Sequence, residues 1–372
     1  MGAAAGALLA ACGTGTNAAS SLQRPTTTPD GTATAIPAAA TRAASAASPS
    51  FPASARAVED EVVLYTIRNA SELQGLIGEF GQRVGAKFMV KTMTAPEITD
   101  LVHSDSASPQ GDVILTSDVV GLETLRRGNL LDRFDSPLLA AVPAAFRAAD
   151  GSWTGVVARS RNLIYNPNLI QESDLPRSLL ALRDPGYRGQ LGIGSLAEGG
   201  VRLWLAWLML ERGLDASLTF VKDLLANGAR LYQLHTEIAA AVANGELALG
   251  LVNHTHYADQ LARTLSAPLR IAYLDQGAGD MGTLVMPISA AIIRNARHPV
   301  AARALLQMML EHAGQLHLFS MQREFPLAEQ SSPELLRLLP PGVKPLDQVR
   351  YPRLDIAKIA EIEAKATEVF SP

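Results

Sequence analysis

The sequence has little cysteine and little charge, and each shortage excludes a class of protein. Its 372 residues include one cysteine, Cys12, and a single thiol can neither close an intramolecular disulfide nor build a zinc or iron–sulfur site. The 32 basic and 36 acidic residues give a net charge of −4, which argues against a dedicated nucleic-acid binder. No run of about 18 apolar residues occurs, so no membrane-spanning helix is predicted. Because 48% of the residues are hydrophobic, the chain can bury a large core, and we expect a soluble, extracytoplasmic globular protein.

The cysteine lies at the end of a short apolar leader. The run Leu9-Ala10-Ala11-Cys12 resembles a bacterial lipobox, in which the signal is removed before the cysteine and lipid is attached to it. The leader, residues 1–12, lacks the basic start of a complete signal, so we interpret it as truncated; the alternative is a chance cysteine in an Ala-rich leader. Residues 13–57 are rich in Ala, Thr, Ser and Pro, a composition that predicts a disordered tether to a membrane surface.

From about residue 58 onward, buried strands alternate with amphipathic helices. Strands are predicted at 62–65, 88–90 and 112–115, and helices at 71–84, 96–103 and 119–127. The order begins again with a strand at 190–194, a long helix over 200–212 and a strand at 247–252. Strands that alternate with helices predict an α/β fold with mostly parallel sheets, and two such units place a cleft between them.

Four polar or glycine-rich segments follow predicted strands, which is where α/β sheets bind their ligands. These segments are residues 66–69, 116–118, 195–200 and 253–257. Because the carboxyl ends of parallel strands share one edge of each sheet, we expect all four segments to face a common crevice. They therefore contain the candidate ligand-binding residues.

The sequence contains no catalytic motif that would indicate an enzyme. The G-x-S-x-G, Walker A, H-E-x-x-H and strand-anchored G-x-G-x-x-G patterns are absent. Ser117 and Asp118 could be a nucleophile and an acid, but a Ser-Asp pair at the end of a strand is more often the N-cap of the following helix. We therefore expect a binding protein and not an enzyme.

Several short motifs, spread from about residue 61 to the C-terminus, carry a resemblance to a known family. The motifs lie at residues 112–117, 159–166, 243–254, 280–282, 301–310 and 324–327. In this order and spacing they resemble the ferric-iron-binding family of ABC-importer solute-binding proteins, which have the type II periplasmic-binding-protein fold.

The resemblance implies two α/β lobes joined by hinge strands, each lobe a mixed, mostly parallel sheet flanked by helices. Lobe 1 would comprise residues 58–157 and 268–320, and lobe 2 residues 158–267 and 321–372. The lobes would close around a ligand and deliver it to the membrane permease of the importer. We expect a monomer at the cell surface or in the periplasm, anchored by lipid at Cys12, with no cofactor other than a transported metal ion.

The family makes ferric iron, or another metal, the first candidate ligand, but the expected ligand residues are replaced. Members that bind ferric iron carry two adjacent tyrosines after the strand, and Thr255 and His256 occupy those positions here. Tyr257 is one place beyond them and would supply a phenolate only after a shift of register. The first-lobe histidine of the family corresponds to Asn69, and its first-lobe carboxylate corresponds to Ser117.

A rebuilt metal site is one of two hypotheses. It would use the imidazoles of His254, His256 and His235 together with Asp118, because imidazole suits zinc, copper and nickel, whereas ferric iron favours anionic oxygen. For His254 the alternative is a hydrogen-bonded loop histidine with no ligand.

The other hypothesis is a site for an anionic or phosphorylated small organic solute. Arg159, on the predicted hinge strand, would pair with the anionic group, unless it forms an ion pair between strands. Hydrogen bonds would come from side chains and backbone N–H groups at Asn69, Thr116, Ser117, Glu198, Gly199, Gly200, Asn253 and Thr255.

Overall fold

The computed structural model describes residues 59–195, 199–330 and 332–362, and at residues 199, 321 and 322 it describes the backbone alone. The predicted leader, the predicted tether, Cys12 and Glu198 lie outside the described residues. Within them, no helix combines the length and the apolar character needed to cross a membrane.

One half of the sheet forms from the first βαβ units of the chain. β1 (Glu61–Thr66) pairs in parallel with β2 (Lys87–Thr92) on one side and with β3 (Val113–Thr116) on the other. β10 (Val285–Ile293) runs antiparallel to β3 and also to the short β4 (Leu131–Asp132). Every residue of β3 and β10 is buried, as expected of central strands that are covered on both faces.

A single long strand, β5 (Thr154–Tyr165), belongs to both halves of the sheet. Its first part, up to Ser160, pairs with β10 and with β11 (Phe325–Pro326). Its second part begins at Arg161 and pairs with two further strands, β8 (Leu249–Asn253) and β9 (Arg270–Ala272). β5 therefore passes from one half to the other between Ser160 and Arg161.

The second half repeats the arrangement of the first. β6 (Leu191–Gly194) lies between β8 and β7 (Arg230–Tyr232) and is parallel to both. Across the whole sheet the order is β2-β1-β3-β10-β5-β8-β6-β7. The parallel pairs lie in the outer part of each half and the antiparallel pairs surround β5. The predicted two-part α/β fold with connecting strands is confirmed.

The helices cover the two faces of the sheet, and several begin at the carboxyl ends of its strands. Their bounds are α1 (Gln74–Val84), α2 (Ala95–Ser104), α3 (Val119–Arg127), α4 (Gly199–Arg212), α5 (Leu214–Ala226), α6 (His235–Ala243), α7 (His254–Arg263), α8 (Pro299–Leu310), α9 (His312–Gln322) and α10 (Pro333–Arg337). The predicted helix at 119–127 has these bounds in the structure, whereas the one at 71–84 divides into a 3₁₀ turn and α1.

The predicted lobe ranges stay a prediction. By strand pairing, the two halves meet between Ser160 and Arg161, a few residues after the predicted boundary at 157 and 158. β9 pairs with β5 beyond this point, and β11 pairs with it before this point. A lobe consists of the residues that move together during closure. The bounds of the two lobes therefore depend on whether β9 and β11 move with the first half or with the second.

Candidate functional site

A cleft of about 410 Å³ lies where the two halves of the sheet meet, at the carboxyl ends of the parallel strands. Three groups of residues line it. The α2–α3 wall consists of Ala95, Pro96, Thr99, Asp100, Ser117, Asp118, Val119, Val120, Gly121 and Thr124; the α4–α7 wall consists of Gly200, Arg202, Leu203 and Asn253; the floor consists of Arg159, Met286 and Ile288.

The helices of the α2–α3 wall satisfy their own N-termini. Thr94 and Glu97 form a reciprocal capping box at the start of α2, in which the Glu97 carboxylate accepts from the Thr94 backbone N–H at 2.7 Å. At the start of α3, Asp118 Oδ1 accepts from the backbone N–H of Gly121 at 2.8 Å. Asp118 is therefore the N-cap of α3, the non-catalytic alternative for the Ser-Asp pair, and its capping oxygen already accepts a hydrogen bond.

The α4–α7 wall presents a helix start that has no such cap. Asn253 is the N-cap residue of α7, yet its side chain makes no capping hydrogen bond. The residue is only 7% exposed, and its Oδ1 is buried without a hydrogen-bond partner among the described residues. Buried amide oxygens are rarely left unpaired, so Asn253 differs in this respect from the capping residues of the α2–α3 wall.

Arg159 brings a positive charge to the floor of the cleft. Its Nε donates to Oε1 of Glu324 at 2.6 Å, and the other carboxylate oxygen of Glu324 accepts from Arg68. Burial alone would raise the pKa of Glu324, but the two guanidinium groups outweigh it and hold that pKa below its ordinary value. Arg159 is therefore both an ion-pair partner, as one interpretation predicted, and a residue of the cleft.

His254 is held inside the protein through both of its ring nitrogens. Nδ1 accepts from the backbone N–H of Ser160 at 3.0 Å, and Nε2 lies 2.8 Å from the carbonyl oxygen of Arg323, to which it donates. The ring stacks on Phe325 at 4.1 Å between centroids. Burial lowers the pKa of His254 to about 4. The residue is a neutral, hydrogen-bonded histidine, and ligation of a metal would require one of these bonds to break.

His235 and His256 lie side by side, with ring centroids 5.3 Å apart. Nε2 of His235 is 2.7 Å from Nη1 of Arg161, whereas Nδ1 of His256 is buried and has no hydrogen-bond partner in the described part of the chain. Burial lowers the pKa of both histidines, and the nearby guanidinium groups lower it further, to about 4 for His256. The pair is neutral near pH 7 and sits in a positive potential.

The surroundings of these histidines oppose a bound cation. Arg159 and Arg161 are among the charges that act on His235 and on His256. Within residues 59–195, 199–330 and 332–362, no three side chains of His, Cys, Asp or Glu come together as metal ligands. The cleft lining contains two guanidinium groups, those of Arg159 and Arg202, and two carboxylates, those of Asp100 and Asp118.

The structure brings some predicted site residues together and places others elsewhere. Ser117, Asp118, Arg159, Gly200 and Asn253 line the cleft, and Gly199 begins the helix that carries Gly200. The remaining predicted residues that the structure describes lie outside the lining: Asn69, Thr116, Thr255, Tyr257, His235, His254 and His256.

Three of these outlying residues have a clear structural setting. Asn69 is exposed at the start of a 3₁₀ turn. Thr116 is buried, and its Oγ1 accepts from the N–H of Asp118 at 3.1 Å. Tyr257 is fully buried, and its hydroxyl donates to the carbonyl oxygen of Pro341 at 2.6 Å, so its phenol is directed into the protein.

Sequence reasoning missed two groups that belong to the site. Asp100 and the first turn of α2 line the cleft because β2 ends next to β1, and this edge also follows the strand-end rule. Glu324 belongs to one of the motifs that carry the family resemblance, but its partners Arg68 and Arg159 are far away in the chain. No local pattern signals that contact.

The fold and the cleft are those of a protein that holds a small ligand between two halves. The sequence matches the family of bacterial extracellular solute-binding proteins over residues 108–346, and the chain belongs to that family. Such proteins are non-enzymatic components of transport, in agreement with the absence of catalytic motifs.

Similar proteins include ferric-iron binders. An Fe(3+)-binding periplasmic protein of Serratia marcescens is 24% identical over 83% of this chain and 89% of its own length. Iron uptake protein A1 of Synechocystis is 25% identical over 72% of this chain and 76% of its own length. The crystal structure of iron-bound HitA from Pseudomonas aeruginosa, 25% identical, superposes with a TM-score of 0.73 over 84% of this chain and 99% of that one. The predicted family resemblance is confirmed.

Proposed function

We propose that this protein captures a small anionic solute in the cleft and carries it to the permease of an ABC importer. The observation that carries the proposal is the guanidinium of Arg159 on the cleft floor, next to the uncapped start of α7 at Asn253. A helix N-terminus and a guanidinium group both favour negative charge, and the side-chain Nδ2 of Asn253 would donate a further hydrogen bond. The solute class would be a carboxylate or a phosphorylated organic molecule.

The transport role is supported by the family and by the two-part fold. Closure of the halves about β5 would enclose the ligand, because β5 runs through both of them. Delivery to membrane subunits and a lipid anchor at Cys12 complete the proposal. A lipid-anchored, tethered binding protein would stay close to its permease.

Ferric iron, or another metal, is the second candidate, favoured by relatives whose names state that they bind or take up iron. His256 would be its first ligand, since Nδ1 is buried and unpartnered among the described residues. His235 and Asp118 would contribute after side-chain rotation, and His254 only if it leaves the backbone groups that it now contacts.

Ligand content separates the two candidates. Native mass spectrometry and elemental analysis of the purified protein, before and after chelation, would identify a carried metal or organic molecule. Thermal unfolding would then be followed with citrate, inorganic phosphate, ferric citrate and zinc chloride. Stabilisation by citrate and phosphate without metal supports the anion, and stabilisation that requires metal supports the second candidate.

Two pairs of variants locate the site. Arg159→Gln should weaken binding of an anion by about 1.5–3 kcal/mol, since a charge-assisted hydrogen bond is lost. Arg183→Gln, which removes an exposed ion pair with Asp223, is the matched control and should have no effect. If the cargo is a metal, His256→Ala should weaken it and the exposed His103→Ala should not.

The anchor has a separate test. Cys12→Ala should release the protein from the membrane fraction of cells that process lipoproteins. Persistent membrane association of that variant would refute the lipid anchor while leaving the ligand proposal intact.

A further inference from the structure

Glu324 does not line the cleft, but its carboxylate holds an arginine that does. The side chain of Glu324 is 0% exposed, and its two oxygens contact Arg159 and Arg68. The bond to Arg159 uses Nε, so Nη1 and Nη2 form the edge of the guanidinium that remains. Among the described residues, nothing accepts a hydrogen bond from that edge, and the Arg159 side chain keeps 26% of its surface exposed.

The backbone that carries Glu324 is held in an uncommon conformation. Arg323, the preceding residue, has φ of 52°, and the other non-glycine residues with positive φ in the described chain are Asn or Asp. Such a conformation costs free energy in an arginine and persists only when the surroundings hold it. The carbonyl of Arg323 accepts from His254 at 2.8 Å, and its guanidinium donates to Asp259 at 2.6 Å.

The contacts of Arg323 and of the Glu324 carboxylate together reach both halves of the molecule. Arg68 follows β1 in the first half, whereas His254 and Asp259 belong to α7, which follows β8 in the second half. Arg159 lies on β5 just before it passes between the halves. The position of the Arg159 guanidinium is therefore set by contacts that reach both halves.

On the basis of the proposed anion function, we propose that Glu324 is a positioning residue that determines which anions the cleft prefers. It holds the Arg159 guanidinium so that the Nη edge faces the ligand in a fixed plane. A fixed edge suits a carboxylate or phosphate group, whose oxygens accept two parallel hydrogen bonds. A spherical anion responds to the charge alone and gains nothing from the fixed plane.

The test compares anions that differ in shape. Affinities of the full chain and of Glu324→Gln would be measured by titration calorimetry with citrate and inorganic phosphate as oxyanions, and with iodide as a spherical anion. In the variant, oxyanion affinity should fall by about 10- to 100-fold, since the paired hydrogen bonds lose their alignment. Iodide affinity should stay the same or rise, because a negative charge near Arg159 has been removed.

Three other outcomes would contradict either the positioning role of Glu324 or the anion function itself. Unchanged oxyanion affinity in Glu324→Gln would overturn the positioning role, and so would an equal loss of oxyanion and iodide affinity, which indicates general damage. If the unsubstituted protein binds neither citrate nor phosphate, the anion function itself is wrong, and the inference that rests on it falls with it.

A second variant guards against loss of folding. Glu324→Gln leaves the buried Arg68 and the partly exposed Arg159 without their counter-charge, whereas Glu324→Asp keeps the charge and withdraws the carboxylate by one methylene. Glu324→Asp should show the same selective loss of oxyanions, and its failure to do so would contradict the proposal. The matched control is Glu311→Gln, which breaks an ion pair with Arg83 at 2.7 Å that is not part of the cleft.

Discussion

The two walls of the cleft use the same element, the start of a helix, in opposite ways. On the α2–α3 wall, the capping box of Thr94 and Glu97 and the side chain of Asp118 satisfy backbone N–H groups. On the α4–α7 wall, Asn253 makes no capping bond and its amide oxygen is unpaired among the described residues. A helix start that is already capped is a support, whereas an uncapped one next to Arg159 can receive a ligand. On the proposed function, the second wall is the one that would receive the ligand.

The largest expected effect is a loss of stability in acid, and it should arise from the α4–α7 side of the cleft. His235, His254 and His256 all lie on the α4–α7 side, and burial lowers the pKa of each from an ordinary value of 6.5, to about 4 for the last two. As the pH falls below 6.5, the unfolded chain takes up protons that the folded chain excludes. The free energy of unfolding should therefore fall between pH 6.5 and 4, by up to about 3 kcal/mol for each histidine.

Urea unfolding near pH 7 and near pH 4.5 measures this loss. His103→Gln, at an exposed position of α2, should leave the pH dependence unchanged. His254→Gln should reduce the pH dependence, whatever it does to stability near neutral pH. A free energy of unfolding that stays level over this range would contradict the assignment of neutral, buried histidines.

Removal of the cap on the first wall should have an intermediate effect. Asp118→Ala removes the acceptor for the N–H of Gly121 and should destabilise the protein by about 1 kcal/mol. Asp118→Asn keeps an acceptor at the same place and should remain close to the parent protein. Both values can be read from urea unfolding without ligand, and equal stability of the alanine variant and the parent would mean that the cap carries no stability.

The corresponding change on the second wall should have the smallest effect on stability. Asn253→Ala removes an amide that makes no capping bond, so the free energy of unfolding of the empty protein should change by less than about 0.5 kcal/mol. Its affinity for citrate or inorganic phosphate should nevertheless fall about fivefold, since the variant has no side-chain Nδ2 to donate to an anionic oxygen. A loss of stability as large as that of Asp118→Ala, with unchanged affinity, would remove the distinction between the walls.

Local rules predicted the parts of the site that depend on neighbouring residues in the chain. Residues at the ends of β3 and β8 and at the start of α4 were expected in the crevice, and Ser117, Asn253 and Gly200 line it. The strand predicted at 112–115 is found at Val113–Thr116, and the polar turn and the helix at 119–127 follow it as predicted. A strand followed by a turn and a helix can be recognised because its signals lie within about 20 residues.

Directions within the segment after β8 could not be predicted in this way. Successive residues at a helix start differ by about 100° in direction, so adjacent positions point to different sides. Asn253 faces the cleft, whereas His254 and Tyr257 are directed inward to the carbonyls of Arg323 and Pro341. Both carbonyls belong to the last part of the chain. The sequence of this segment contains no sign of where they will lie.

The pairing of β3 with β10 has a consequence for how the chain is made. Thr116 finds its partner in Ser289, so the first sheet stays open along one edge while the whole second half is being synthesised. Pairings between residues so distant in sequence slow folding and leave unpaired strands exposed to aggregation and to chaperones. The sheet of the first half can therefore be completed only after the chain has been synthesised past Ser289.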